Sequence, residues 1–153
     1  MRRRHPACKH PLLPQFWLVT VGRMSDAVLP AIRRLPKGKA GVVLRNYATP
    51  PAERRQLYNN VRAIARRNRL MLLLAGPSHM AQAWKADGWH GKGHQRHGHL
   101  IHSMAVHNQR ELMAATRAQA DLVFLSPVFG TRSHPGLRPL GPFRFGWLTR
   151  QAA

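Results

Sequence analysis

Apolar residues in this chain fall into short unbroken runs, separated by longer stretches in which they recur at every third or fourth position. The runs lie at about 16–21, 41–46, 70–75, 86–90, 99–105 and 122–125, each of strand length. Leu122 to Leu125 shows no polar alternation, the pattern of a parallel strand covered on both faces. The intervening stretches read as helices. From near Ser25, residues Ala27, Val28, Ala31 and Ile32 share one face, and Leu35-Pro36-Lys37-Gly38 ends that helix. Thr49 is placed to cap a second helix opened by Pro50 and Pro51, with Leu57, Val61, Ile64 and Ala65 as its buried stripe and its arginines in water. Ser78 begins a short helix that turns Met80, Ala81 and Trp84 toward the sheet. Asn108 with Glu111 forms a capping box for a helix ending near Ala118. Gly141-Pro142 starts a last helix carrying Phe143, Phe145, Trp147 and Leu148.

Strands alternating with helices predict an α/β fold, its parallel strands joined by right-handed crossovers. The expected architecture is TIM-barrel-like, with about six of the eight βα units present. It implies one domain over 16–150 after a basic leader, 1–15, in a chain that stops short of a closed barrel. Strands one and six would then be open edges, to be paired with each other, covered by a second copy of the chain, or left as a source of instability.

Charge modifies this picture. Lys and Arg number 25 against five Asp and Glu, a formal net charge of +20. Such an imbalance suggests polyanions as partners. The cations are nevertheless spread along the whole sequence rather than interleaved with aromatics in one tract, so a general basic coat is expected in place of a dedicated nucleic-acid site. Met1-Arg2-Arg3-Arg4 has the charge of a signal-peptide start, but Phe16 to Val21 is too short for its apolar region. The run from Leu70 to Ala75 falls far below the roughly 20 residues of a membrane span. A single cysteine, Cys8, allows no internal disulfide, and the expected compartment is the reducing cytoplasm.

Candidate chemistry gathers where strands end. After Leu125, Ser126-Pro127 closes the strand, and the loop then sets Thr131 and Ser133 among Gly130, Arg132 and His134. Two hydroxyls and a cation on flexible backbone are donors suited to phosphate oxygens, or else simply a polar crossover loop. His90, His94, His97, His99 and His102 form a second cluster, able to hold a borderline ion such as zinc or nickel adventitiously, or to be a plain loop. Trp17, Trp84, Trp89 and Trp147 sit on apolar faces and read as core.

The segment from Asp121 to Gly136 resembles the sixth strand and following loop of the thiamine phosphate synthase and thiazole tautomerase family. The likeness extends upstream through Phe16-Trp17-Leu18-Val19-Thr20, Gly41-Val42-Val43-Leu44-Arg45, Ala86-Asp87-Gly88-Trp89-His90-Gly91 and Val106-His107-Asn108 with Glu111. The resemblance implies thiamine assembly by transfer of a pyrimidine methyl group onto a thiazole phosphate, with magnesium holding the pyrophosphate. The residues depart from that chemistry. Asp26, Glu53, Asp87, Glu111 and Asp121 are the only acids, and none is expected at strand C-termini. The family's Asn-Asp after strand three falls on Ala75-Gly76, and the Gln and Lys of its second strand fall on Val43 and Tyr47. What the resemblance leaves is His107, in the position of the tautomerase proton shuttle, with Arg45, Thr131, Ser133 and His134 as contacts to substrate or phosphate. A metal-independent tautomerase, a divergent synthase-like protein and a non-catalytic ligand-binding or polyanion-binding protein are the readings this permits, with a phosphorylated thiazole or pyrimidine as ligand in the first two.

Overall fold

The computed structural model describes residues 12–22, 27–93, 99–131, 136 and 138–152. Its elements, in chain order, are β1 (Phe16–Val19), α1 (Val28–Arg33), β2 (Ala40–Leu44), α2 (Pro51–Asn68), β3 (Met71–Ala75), α3 (Ser78–Ala83), β4 (Gly88–His90), β5 (Ile101–Val106), α4 (Gln109–Arg117), β6 (Leu122–Leu125) and α5 (Gly141–Ala152). The strands are ordered β1-β2-β3-β4-β5-β6 in one sheet. β1 with β2, β4 with β5 and β5 with β6 pair in parallel. Each helix thus returns the chain beside the strand it has just left, the winding of a TIM-barrel-like fold, here with six strands and, among the described residues, no helix between β4 and β5. β1 and β6 end the order, each with one hydrogen-bonded neighbour. The chain divides into two compact units, up to Leu73 and from Leu74 onward, so the boundary falls within β3.

In the first unit, β2 is buried along its whole length, and Val28 and Ile32 of α1 are fully buried. The stripe of α2 is set differently from the apolar pattern. Arg54, Tyr58, Val61, Ala65 and Asn68 are the buried residues, at spacings of four, three, four and three. Leu57 and Ile64 are half-buried. Arg54 therefore departs from the expectation that the arginines stay in water: only 8% of it is exposed, its guanidinium lies 5.6 Å from the centre of the Tyr47 ring, and desolvation lowers its pKa, partly offset by Tyr47. Thr49 is not the cap. Pro50 occupies that position with no side-chain bond, because the fixed φ of Pro50 and Pro51 already opens the helix. Gly41 is dictated by packing: a Cβ there would come within 2.4 Å of the Trp17 ring, which is anchored by its Nε1–H to Pro14 O at 2.8 Å.

In the second unit, Met104, Val106, Leu112, Ala115, Ala118, Leu140 and Leu148 form the core, with Val123, Leu125 and Phe145 packed on it. β6 is only half-buried at all four residues, not covered on both faces, as befits the last strand of the order. Trp89 is core at 3% exposure, whereas Trp17 and Trp84 are half-buried and Trp147, 45% exposed, is not core. Leu148 carries the buried contact of α5, and Phe143 is 95% exposed.

Three of the helices end by one rule. After α2, α3 and α4, paired backbone bonds (Arg69 to Arg66 O with Leu70 to Ala65 O, Lys85 to Gln82 O with Ala86 to Ala81 O, Gln119 to Thr116 O with Ala120 to Ala115 O) form Schellman motifs. The residue in the left-handed region is never glycine there: Arg69, Lys85 and Gln119 have φ of 52°, 58° and 53°. The apolar residue that follows, Leu70, Ala86 or Ala120, lies one or two residues before the next strand.

Candidate functional site

In the second unit, the turn from β5 to α4 brings four groups into a single network. Asn108 caps α4, its Oδ1 accepting from the Glu111 N–H at 2.9 Å. Glu111 reaches back one residue further than a capping box requires, and its Oε2 accepts from the His107 backbone N–H at 2.8 Å. The His107 ring crosses to the end of β6, where Nδ1 donates to Ser126 O at 2.5 Å. A carbonyl only accepts, so this bond assigns the proton to Nδ1 and places the basic lone pair on Nε2. Backbone and ring are thus both fixed. Lys92 approaches Glu111 Oε1 at 3.5 Å, and with Lys92 78% exposed the pair adds little to the hold.

β4 and β5 contribute a second polar pair. Ser103 Oγ donates to Trp89 O at 3.2 Å and accepts from His90 Nδ1 at 3.0 Å, with Ser103 fully buried and His90 5% exposed. His102, one residue away in register, lies on the opposite face. It stacks on Trp89 with ring centres 3.9 Å apart and donates from Nε2 to Gly91 O at 2.9 Å. Two histidines on opposite faces of a ladder cannot share one ion. Among the described residues no group of three or more His, Cys, Asp or Glu is arranged to hold a metal. His94 and His97 lie outside the described residues, and His99 is exposed.

In the first unit, Arg45 directly follows β2 and is half-buried. Its N–H donates to Thr20 Oγ1 at 2.9 Å, and Thr20 donates to Asn46 Oδ1 at 2.7 Å, with both Thr20 and Asn46 buried. This tie locks the ends of β1 and β2. The apolar pattern gives Thr20, Asn46 and Ser103 no role; the available signal is a polar residue inside or just after an apolar run. Thr131 is described and exposed, while Ser133 and His134 lie outside the described residues.

Residues 17–153 match the model of the thiamine monophosphate synthase family. The chain belongs to that family. Its fold is similar to thiamine phosphate pyrophosphorylase from Pyrococcus furiosus, with a TM-score of 0.69 and 17% identity over 90% of this chain and 70% of that one. It is also similar to thiamine phosphate pyrophosphorylase from Bacteroides thetaiotaomicron, with a TM-score of 0.50 and 18% identity over 74% of this chain and 58% of that one. At these identities the likeness is one of fold. No curated protein matches the chain significantly by sequence.

A synthase of this family implies magnesium, and among the described residues the acids are not gathered to hold it. Ala75-Gly76 after β3 and Gly91-Lys92-Gly93 after β4 offer no carboxylate. Two of the acids are bonded to backbone elsewhere: Glu111 at the His107 N–H, and Asp121 Oδ2 at the His102 N–H, 2.8 Å away. Glu53 is in the first turn of α2, and Asp87 precedes β4 at the opposite end of that strand. Asp26 lies outside the described residues. A hard dication needs at least one or two such oxygens.

Proposed function

We propose that this chain is a thiamine phosphate synthase-like protein of thiamine biosynthesis that acts on a phosphorylated thiazole by proton transfer at His107, without the magnesium-assisted transfer of a pyrimidine methyl group. The observation that carries the reading is the clamp on His107. A histidine held at both ring and backbone, with its tautomer set by a carbonyl, is a base with a defined proton-accepting atom. Nε2 takes a proton from one position of the thiazole system and returns it to another, so the step needs no oxidant, leaving group or metal. Asn108 and Glu111 are positioning residues for this base. Thr131, Ser133 and His134 are the proposed contacts to the phosphate.

Isothermal titration with thiazole phosphate and with the pyrimidine pyrophosphate, each with and without magnesium, tests the reading. Metal-independent binding of the thiazole phosphate is expected. Metal-dependent binding of the pyrophosphate would return the protein to synthase chemistry, and no binding of either compound would refute a role in thiamine assembly.

A further inference from the structure

Seven cations of the first unit share one end of it. Arg33 is in the last turn of α1 and Arg34 follows it, Lys37 and Lys39 lie in the loop to β2, Arg66 and Arg67 are in the last turn of α2, and Arg69 precedes β3. All seven are exposed. They are neighbours by construction, since parallel strands bring both helix ends to the N-terminal ends of β2 and β3. The Gly38 N–H, between the two lysines, donates to Asn68 O at the end of α2 at 3.0 Å.

Among the described residues of the first unit, Glu53 is the only acid. Glu53 sits thirteen residues before Arg66 on α2, about 20 Å along the helix. Helix dipoles account for only part of the arrangement: Arg33, Arg66 and Arg67 lie in last turns, where a cation is favourable, but Arg34, Lys37, Lys39 and Arg69 lie beyond them. In the second unit, by contrast, an acid precedes β4 and another precedes β6, Asp87 two residues after Lys85 and Asp121 four residues after Arg117. The basic coat is thus unevenly distributed. Phe16, the first residue of β1 and 55% exposed, is the register partner of Ala40, the residue after Lys39.

We infer that this end of the first unit is a binding surface for single-stranded nucleic acid. Clustered Arg and Lys track a phosphodiester backbone, and an exposed aromatic ring beside them stacks a base. An anionic membrane is the less suitable occupant, because α1 and α2 bury their apolar faces and present no apolar helix face for insertion.

Fluorescence anisotropy with a labelled oligouridylate of about 20 nucleotides, a DNA duplex of similar length and vesicles of phosphatidylcholine with phosphatidylserine tests this. Binding of the oligouridylate is expected to fall steeply between about 50 and 200 mM salt. Changing Lys37, Lys39, Arg66 and Arg67 together to Gln should lower affinity near 100 mM salt by on the order of a hundredfold and reduce the salt slope by about 3. Phe16→Ala should weaken the single strand by about tenfold and leave the duplex unaffected. The control replaces Lys85, Arg117, Arg144 and Arg150 with Gln, removing the same charge from the second unit, and should leave affinity within a few-fold of the parent. Equal losses in the two charge variants would reduce the surface to a general coat and overturn the inference. Absence of oligonucleotide binding, or binding to vesicles alone, would overturn it too. Far-ultraviolet circular dichroism of each variant separates lost binding from lost folding.

Discussion

Removing the Glu111 carboxylate should unsettle both the stability of the second unit and its candidate base. Its Oε2 accepts the His107 backbone N–H at 2.8 Å, and the side chain is 26% exposed. A hydrogen bond to a charged acceptor contributes about 1.5–3 kcal/mol. The negative charge in the first turn of α4 adds about 0.3–1 kcal/mol against the helix dipole. The 3.5 Å pair with Lys92 is worth close to nothing at 78% exposure of the lysine. Glu111→Ala is therefore expected to cost about 2–3 kcal/mol, and Glu111→Gln, which keeps a neutral acceptor, about 1 kcal/mol. Urea unfolding followed by tryptophan fluorescence measures both. The reasoning fails if Glu111→Ala lies within about 0.5 kcal/mol of the parent, or if Gln and Ala cost the same, since either result would mean that the bond to His107 holds nothing.

Three further substitutions probe the packing argument. Gln119→Gly should stabilise the protein by about 0.5–1 kcal/mol, because glycine relieves the left-handed φ of 53° that ends α4; a loss measured by the same urea titration would count against that reading. Gly41→Ala should cost about 2–3 kcal/mol and release the Trp17 ring, visible as a shift in its emission, since the new Cβ would need the space that ring occupies. Ser103→Ala should cost about 1–3 kcal/mol by removing the buried hydroxyl that joins His90 Nδ1 to Trp89 O, and a neutral effect in thermal unfolding would show that the link is dispensable.

The hydrophobic pattern disclosed the order of the elements, and β6 begins and ends where its apolar run does. It was less informative about burial. The α2 stripe includes Arg54 and Asn68, which no periodicity of apolar residues can reveal, and Trp147 lies at the surface although Leu148 beside it is fully buried. The end of α4 near Ala118 was legible, but the motif that closes three of the helices was not. Glycine is the usual signal of a Schellman end, and this chain uses Arg69, Lys85 and Gln119. At the candidate site, the Asn108–Glu111 spacing announced the cap, but the bond that matters to His107 is Glu111 to the residue before that cap, and the ring's partner is a backbone carbonyl nineteen residues away. A carbonyl leaves no trace in sequence. The basic end of the first unit was obscured differently: its cations are scattered along the chain and converge only when two helix ends and a loop come together.

The central claim, metal-independent proton transfer by His107, is tested most directly by following interconversion of thiazole phosphate tautomers by NMR, in the presence of EDTA, for the parent and for His107→Asn, whose amide can still donate to the Ser126 carbonyl but cannot act as a base. The account predicts turnover in EDTA that falls by about a hundredfold or more in the variant. Undiminished turnover in His107→Asn, or turnover that EDTA abolishes and magnesium restores, would contradict it.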